Sequence, residues 1–462
     1  MIGYLIKMQI RESIELLKNF FLKGNSRTLR AKKNVLVSFI AKGLSIVISF
    51  LIVPLTLGYV GKVEYGIWMT ISSIISWFSF FDIGLGNGLR NKLSEALARD
   101  NLETAKIYIS STFALISGIA ALMFVGFFIA AHFISWNAAL NTDLVSNSEL
   151  FKIVVVVFFF FCIGFVLKVL SSILQAMQQY ATNDVLGVIA QLFGLIAIFV
   201  LVKTTESSLF YLCLVYGSKT AIIMFIASIF LFTGRLKHLR PQINKVNLKK
   251  ALPLLNLGMW FFINQILYLI TTQSSVILVV QFFGPEEVTI YNLANRYMSM
   301  VSMLYLMVLT PFLTAFTEAY TKKEYAWIKN TISKINKIWL LTSFGTILLM
   351  MSYRLFFKLW VGDEIVIPVE LIVAIGVSSI ISTWSTTFTL FLMGIGKIRL
   401  QFYTGFVNAL LFIPLTFLFY RLNFGLTALV IPGILFGIGK VFIFTSQYKR
   451  VINQRAQGIW NR

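Results

Sequence analysis

Long apolar stretches alternate with short polar connections along this chain, and each stretch is long enough for a helix that crosses a bilayer. Such a helix needs about 20 predominantly apolar residues. We therefore predict an all-α, polytopic membrane protein. Its twelve predicted transmembrane helices lie at 34–57, 64–83, 107–131, 151–173, 185–203, 208–233, 251–283, 288–316, 332–355, 366–392, 401–420 and 425–446.

The predicted spans divide into two groups of six. We expect an N-terminal lobe over 34–233 and a C-terminal lobe over 251–446, joined by a basic connector at 234–250, around a central cavity. A short repeat supports this division, because Gly58–Tyr65 and Gly284–Tyr291 share one separation and each follows the first span of its half. Two halves in the same orientation place a substrate site at their interface.

The positions of Lys and Arg predict the orientation. With 1–33 in the cytoplasm, 30 of the 40 Lys and Arg fall in cytoplasmic segments, six fall outside and four fall within spans. Such an excess is typical of cytoplasmic loops. We predict that 1–33 is a basic amphipathic helix on the inner membrane face and that 447–462 is a cytoplasmic tail. The net charge of +22 then reflects topology and contact with anionic membrane lipids, with no nucleic acid as a partner.

Composition narrows the possible functions. Hydrophobic residues make up 58% of the chain and charged residues 13%, against about 25% charged in soluble domains. Both cysteines fall in apolar segments, which argues against a disulfide framework. The first long apolar run starts at Asn34 and lacks a cleavage pattern, so no cleavable signal peptide is expected. His132 and His238 are the only histidines, so we expect no metal, no cofactor and no enzymatic centre.

The first span carries one polar stripe on an otherwise apolar helix. Ser38, Lys42, Ser45 and Ser49 follow i, i+4, i+7, i+11 spacing, which places them on one helical face. Lys42 lies about 12 Å into the span. A charge at that depth usually faces a wet cavity or a protein partner, not lipid. Lys42 and Ser45 are therefore candidate substrate-binding residues.

Other predicted spans also carry polar residues on one face of an apolar helix. Asn292, Asn295 and Arg296 share a face of the eighth span, and Asn264 belongs to a polar stripe on the seventh. Lys219 lies within the sixth span, where it either lines the cavity or snorkels outward. Polar stripes of this kind also serve close helix packing.

The remaining charges give the predicted cavity a positive sign. Lys440, near the inner end of the last predicted span, is expected to snorkel to lipid headgroups. None of the 18 Asp and Glu lies at mid-depth in this placement. Unpaired cations in a cavity attract a phosphate or an acidic sugar.

The stretch after the second span, FDIGLGNGLRNKLSEALARDN, breaks the apolar pattern with three glycines. It follows no predicted strand and lacks a G-x-x-x-x-G-K-[ST] pattern, so a nucleotide-binding loop is not expected. We predict a helix break followed by a cytoplasmic amphipathic helix. Arg90, near the start of that helix, is a further candidate for contact with a diphosphate at the inner mouth.

This stretch, together with FGPEEVTIYNLANRYMSM after the seventh span, resembles the polysaccharide flippases of the O-antigen translocase type. These flippases belong to the multidrug/oligosaccharidyl-lipid/polysaccharide exporter superfamily. The resemblance implies two six-helix lobes that work by alternating access in the bacterial inner membrane. It implies a polyprenyl-diphosphate oligosaccharide as substrate, and a polysaccharide polymerase and chain-length proteins as further partners. The cations that would meet the diphosphate are Lys42 and Arg296 by this comparison.

Three alternatives remain open from the sequence. A drug or ion antiporter of the same fold is the nearest, although such proteins often carry a mid-membrane acid in the first span. A membrane glycan polymerase or ligase usually needs a large outer loop with catalytic residues, and the longest outer loop here, 132–150, has few candidates. A non-transporting assembly scaffold is the third.

Overall fold

The computed structural model describes residues 26–461 except 83 and 311. The side chains of 26–35, 80, 250–265, 268, 272 and 314 are outside the described set, as is most of the predicted amphipathic helix at 1–33. The described part of the chain is helical throughout, without strands. Its α-helices are α1 Ser26–Ser76, α2 Leu85–Ala98, α3 Leu102–Phe133, α4 Trp136–Leu140, α5 Asn147–Leu167, α6 Val169–Ala176, α7 Tyr180–Thr204, α8 Leu209–Thr233, α9 Leu248–Phe283, α10 Pro285–Leu309, α11 Phe312–Thr321, α12 Tyr325–Val361, α13 Val369–Gly394, α14 Arg399–Arg421 and α15 Ile431–Ile452.

All twelve predicted spans fall on these helices, and the fold is that of a multi-pass membrane protein. Nine helices within the described residues are long and apolar enough to cross a membrane. One of them, Leu36–Ser79, holds the first two predicted spans. α9 and α10 are outside these nine. The count of twelve is consistent with this result and stays a prediction.

The first two spans are two arms of α1, separated by a kink at Gly61. Gly61 has φ 76° and ψ 175°, a conformation that side chains with a Cβ rarely adopt. Gly284, between α9 and α10, has nearly the same backbone, with φ 92° and ψ 171°. The two halves of the chain therefore make the same turn at the same place. We call the end of the bundle that carries these two glycines the kink end, and the opposite end the connector end.

This equivalence corrects the register of the predicted repeat by three residues. The counterpart of Gly284 is Gly61, not Gly58. In the corrected register, a pattern G-x-x-E-x-x-I-aromatic appears in both halves. Its residues are Gly61, Glu64, Ile67 and Trp68 in one half, and Gly284, Glu287, Ile290 and Tyr291 in the other. The sequence comparison missed this pattern because it paired Gly284 with Gly58 instead of with Gly61, which has the matching positive φ.

Several predicted spans differ in their boundaries. The second, placed at 64–83, runs past the end of α1 at Ser76, and the fourth, placed at 151–173, crosses the break between α5 and α6. The eighth, placed at 288–316, is interrupted, because α10 ends at Leu309 and α11 begins at Phe312. The twelfth, placed at 425–446, continues as helix to Ile452. Lys440 consequently lies near the middle of α15 rather than near the end of this helix.

Packing follows the order of the helices. In the N-terminal half α1 packs along α7, and α5 along α8; in the C-terminal half α13 packs on α15 and α12, and α9 on α14. α1 also packs on α10, so the two halves meet along the helices that flank the kinks. Side-chain oxygens at the helix starts stabilise several ends; the Ser146 hydroxyl, for example, accepts the Glu149 N–H at 3.3 Å.

Candidate functional site

A closed seam joins the two halves at the kink end. The Lys62 ammonium lies 2.7 Å from a Glu286 carboxylate oxygen, and both residues come directly after a kink. The Thr289 hydroxyl donates to the Lys62 carbonyl at 2.6 Å. The start of α10 is thus fixed against the second arm of α1. We call this set of contacts the kink-end seam.

Gly66 sets how close the two helices come within the seam. A Cβ at this position would lie 1.7 Å from the Pro285 carbonyl oxygen and 3.1 Å from the Thr289 hydroxyl. Real Cβ atoms do not approach a backbone oxygen so closely. Only glycine therefore permits this contact between α1 and α10.

Further contacts extend the seam on both sides. Between α4 and α9, Asn141 donates to the Val280 carbonyl at 3.0 Å, and Gln281 donates to the Ala139 carbonyl at 2.8 Å. The Trp360 indole N–H of α12 donates to the Phe50 carbonyl of α1 at 2.8 Å. Each bond joins an element of one half to an element of the other, so this end of the interface is held closed from several directions.

A cavity of about 290 Å³ lies just beyond the seam, toward the connector end. Polar side chains of α10 form one wall, and the second arm of α1 forms the other. The lining residues are Tyr65, Met69, Asn292, Leu293, Asn295, Arg296 and Ser299. The structure thus brings together three predicted site residues, Asn292, Asn295 and Arg296. It adds Tyr65, which sequence reasoning missed because an aromatic residue after a turn gives no distinctive signal.

Arg296 is the main charge of this cavity. Its guanidinium donates to the Ser49 carbonyl of α1 at 3.2 Å, across the interface between the halves. Among the described residues, no carboxylate forms an ion pair with it. A half-buried guanidinium with a neutral partner keeps donors available for an anionic ligand.

Lys219 approaches the same region from α8. Its ammonium lies 4.5 Å from the centre of the Tyr216 ring, and the Tyr216 hydroxyl is 3.0 Å from the Thr56 hydroxyl of α1. Its side chain also packs against Gly194 of α7. The charges of Lys219 and Arg296 repel each other. Lys219 makes no ion pair within the described part of the chain. Two cations converge here without a counter-ion, an arrangement suited to an anion.

Lys42 lies farther toward the connector end. The residues Ile40, Leu44, Val47 and Leu51 are 50–55% exposed and form one outward-facing stripe of α1. Lys42 is also exposed, but it lies on the opposite face, with the half-buried Ser45. It is about 10 Å along the helix from Ser49, which Arg296 contacts. Lys42 thus lies on the face of α1 that carries the polar stripe, away from the outward-facing apolar side chains.

Two further predicted substrate-binding residues are Arg90 and Asn264. Arg90, on α2, donates to the Asn91 side chain at 3.4 Å and is not part of the cavity wall. The Asp82 carboxylate accepts the Gly84 N–H at 3.1 Å, so an acidic side chain already occupies the start of α2. Lys92 pairs with Glu95 at 2.8 Å and lowers the pKa of that carboxyl. The side chain of Asn264 falls outside the described residues.

A second contact between the halves was not expected from the sequence. Gln273 of α9 donates to the Ser76 hydroxyl at 2.6 Å, and the Ser73 hydroxyl donates to the Gln273 carbonyl at 3.1 Å. These bonds use Ser73 and Ser76 of the second arm of α1. The interface between the halves is thus polar but uncharged at this point.

Comparison with known proteins places this geometry in context. Residues 31–317 match the protein family described as "Polysaccharide biosynthesis protein". A "Putative O-antigen export protein" of Yersinia pseudotuberculosis is 23% identical over 386 residues, which are 80% of this chain and 85% of that protein. A "Putative O-antigen transporter" of Salmonella typhi is 23% identical over 387 residues, 81% of this chain and 86% of that protein.

Solved structures of multidrug transporters have the same fold. An inward-facing MATE family transporter of the MOP superfamily has a TM-score of 0.67 at 13% identity, covering 92% of this chain and 100% of its own. An outward-facing MATE transporter has a TM-score of 0.63 at 12% identity, covering 94% of this chain and 98% of its own. At these identities the likeness concerns the fold alone.

Proposed function

The chain belongs to the polysaccharide biosynthesis protein family, and we propose that it is a flippase for polyprenyl-diphosphate-linked oligosaccharides. It would move these lipids from the inner to the outer leaflet of a bacterial inner membrane, for the synthesis of O-antigen or capsule. The family match and the two relatives named for O-antigen export support a polysaccharide transporter rather than an enzyme.

One observation carries this proposal: among the described residues, the cations in and beside the cavity between the halves have no carboxylate partners. Arg296 is bonded to a backbone carbonyl, and Lys219 lies over an aromatic ring. An ammonium or guanidinium at this depth is unfavourable unless water or an anion compensates it. A diphosphate brings the matching charge, and its oxygens accept charge-assisted hydrogen bonds from guanidinium and ammonium groups.

Moving the sugar and the diphosphate through lipid is the physical obstacle. Burying an isolated charge in an apolar medium costs many kcal/mol by the Born estimate. A hydrated cavity with fixed cations removes most of this penalty, while the polyprenyl chain stays in the bilayer. Lys42 near the connector end and Arg296 near the seam would form successive contacts for the diphosphate along this route.

The orientation and the two lobes are part of the proposal. We place 34–233 and 251–446 as the two lobes, both termini in the cytoplasm, and the kink end outside. The seam then closes the outer side while Lys42 is accessible from the inner side, the arrangement that loading from the cytoplasm requires. Rocking of the lobes would open the seam and close the inner side.

The test is transport by Lys42→Ala and Arg296→Ala variants, measured as surface glycan in cells and as glycolipid translocation by purified protein in vesicles. Losing a hydrogen bond to a charged group typically costs about 1.5–3 kcal/mol, so we expect at least a tenfold loss for Arg296→Ala. Lys329→Ala, an exposed lysine of α12, is the control and should retain activity.

Results of this test separate the alternatives. Normal glycan levels in both cavity variants, with normal membrane insertion, would contradict the proposal. Retained glycan transport together with lost drug efflux would favour an antiporter of the same fold. Wild-type protein that moves no glycolipid in vesicles would favour a polymerase, a ligase or a scaffold.

A further inference from the structure

Lys440 is a mid-helix cation of the C-terminal half that the proposed diphosphate route does not use. It follows the start of α15 by about nine residues, or about 14 Å of helix rise. A lysine near a helix end can extend its ammonium to the headgroups, but one near the middle of a spanning helix is less able to do so. The interior of the C-terminal half therefore needs to accommodate this charge.

The face of α15 on which Lys440 lies supports this conclusion. Leu435, Ile438 and Phe442 are 48%, 42% and 69% exposed and mark the outward face of the helix. Lys440 lies opposite them and continues the buried stripe formed by Phe444, Gln447 and Val451 at i+4, i+7 and i+11. Its side chain is nevertheless only half-buried. Lys440 therefore lies on the face of α15 that packs inside the C-terminal half rather than on the outward face.

Close packing of α13 and α15 borders this position. Gly437, one turn before Lys440, would place a Cβ 2.8 Å from the Ile381 side chain. On the other side, the Trp384 indole lies 3.3 Å from the Thr445 hydroxyl. Lys440 lies between these two contacts along α15. In the described part of the chain, no carboxylate pairs with its ammonium.

Lys440 also has a counterpart in the other half. Lys219 lies in α8, the last helix of the N-terminal half, about ten residues after the helix start. Lys440 lies at nearly the same depth in α15, the last helix of the C-terminal half. The two halves also share the glycine turn at Gly61 and Gly284, so the two lysines lie at similar positions along the last helix of each half.

Charge balance indicates what such a site would bind. A diphosphate that links a lipid to a sugar carries one negative charge on each phosphate, and Arg296 and Lys219 already match both. Lys42 lies on the route of the diphosphate itself, whereas Lys440 is a further cation without an ion pair among the described residues. An unpaired interior cation is tolerated when a ligand neutralises it. This further charge therefore fits a substrate with an acidic group beyond its diphosphate.

We propose that Lys440 forms a second anion-binding site, in the C-terminal half, that receives a carboxylate or phosphate carried by the transported oligosaccharide. This inference rests on the proposed flippase function and specifies its substrate class as an acidic glycan. The diphosphate would bind at Arg296 and Lys219, while the acidic sugar extends toward α15. Lys440 thus determines specificity for the glycan rather than for the lipid carrier.

The test compares two synthetic polyprenyl-diphosphate disaccharides in vesicles, identical except that one ends in a hexose and the other in the corresponding hexuronic acid. For Lys440→Ala we expect at least a fivefold loss of uronate-lipid transport and less than a twofold change for the neutral lipid. Lys440→Arg should restore most of the uronate-lipid transport. Lys449→Ala, which removes an exposed lysine from the last turns of the same helix, should leave both rates unchanged.

Two results would overturn the assignment. An equal loss for both lipids would place the diphosphate, not the glycan, at Lys440, and unchanged transport of both would exclude a binding role. If Lys440→Ala does not insert, Lys440→Gln provides the same comparison with a longer neutral side chain. Failure of wild-type protein to transport either lipid would instead overturn the proposed function, so the two failures are distinguishable.

Discussion

The kink-end seam and the cavity beside it differ in whether their charged side chains have partners of opposite charge. In the seam, Lys62 has a carboxylate partner at 2.7 Å, and the other hydrogen bonds run from side chains to backbone carbonyls. In and beside the cavity, Arg296 of α10 and Lys219 of α8 have only neutral partners within the described part of the chain. The seam is complete without a ligand, whereas the cavity is electrostatically incomplete without one.

This difference distinguishes two roles, stabilising a conformation and binding a ligand, that the sequence alone does not distinguish. Close backbone packing at a glycine contact holds two helices together, so disturbing that contact changes which conformation is favoured. An unpaired charge in a polar cavity holds little in place, so its removal changes what the cavity binds. Mutations in the seam should therefore affect the opening of the transporter, and mutations in the cavity should affect its substrate.

The strongest test of the seam is to prevent it from opening. Lys62→Cys and Glu286→Cys, joined by a short reducible bis-thiol cross-linker, should abolish translocation in vesicles, and reduction should restore it. The natural thiols Cys162 and Cys213 are buried, which favours reaction at the introduced pair. Each single cysteine variant, treated identically, is the control. Full transport by cross-linked protein would mean that this interface does not open during the cycle.

A somewhat smaller effect is expected when the seam cannot close. Gly66→Ala introduces a Cβ 1.7 Å from the Pro285 carbonyl oxygen, so the two helices must separate. Overpacking of this kind costs about 1–3 kcal/mol, which predicts a loss of transport of about tenfold. Gly43→Ala, on the same helix with no atom within 4 Å of the new Cβ, should have little effect. Equal transport by these two variants would contradict the role of Gly66.

The fold was largely predictable because hydropathy reports directly on spanning helices. The placement of twelve apolar stretches follows from that signal, and each stretch is largely helical. The breaks at Gly61 and Gly284 were predicted as connections between spans. Their shared conformation was not, because a positive φ cannot be distinguished from other glycine uses in one sequence. The register of the repeat was therefore set three residues away.

The site was predictable only where a charge interrupts an apolar stretch. Arg296, Lys42 and Lys219 gave that signal, and Arg296 lines the cavity with the two predicted asparagines. Gly66 and Gln273 gave none, since a close backbone approach or an amide bond across the interface depends on how two distant helices meet. Lys440 was expected near the end of its helix because that end was set at 446 rather than at Ile452.

Removing the charge of Lys219 should reduce translocation about as much as Gly66→Ala does, but it should leave the kink-end seam unchanged. Lys219→Met keeps the length of the side chain and removes its charge, so we expect a loss of about tenfold in translocation from a lost charge-assisted contact. The cross-linking yield between positions 62 and 286 should stay unchanged. Lys219→Arg should recover part of the activity. A Lys219→Met variant with full transport would show that this lysine is a packing residue.

The smallest effect should come from the ion pair of the seam itself. Lys62 and Glu286 are 42% and 44% exposed, and pairs at that exposure contribute about 0–1 kcal/mol. Lys62→Ala also leaves the Thr289 bond in place, because that bond uses the Lys62 carbonyl. We therefore expect less than about a threefold change in translocation for Lys62→Ala, decreasing further at high salt because exposed charges are screened. A loss as large as that of Gly66→Ala would mean that the seam is held by charge rather than by close backbone packing. The seam and the cavity would then both depend on charge, and they would differ only in whether the charge has a partner within the protein.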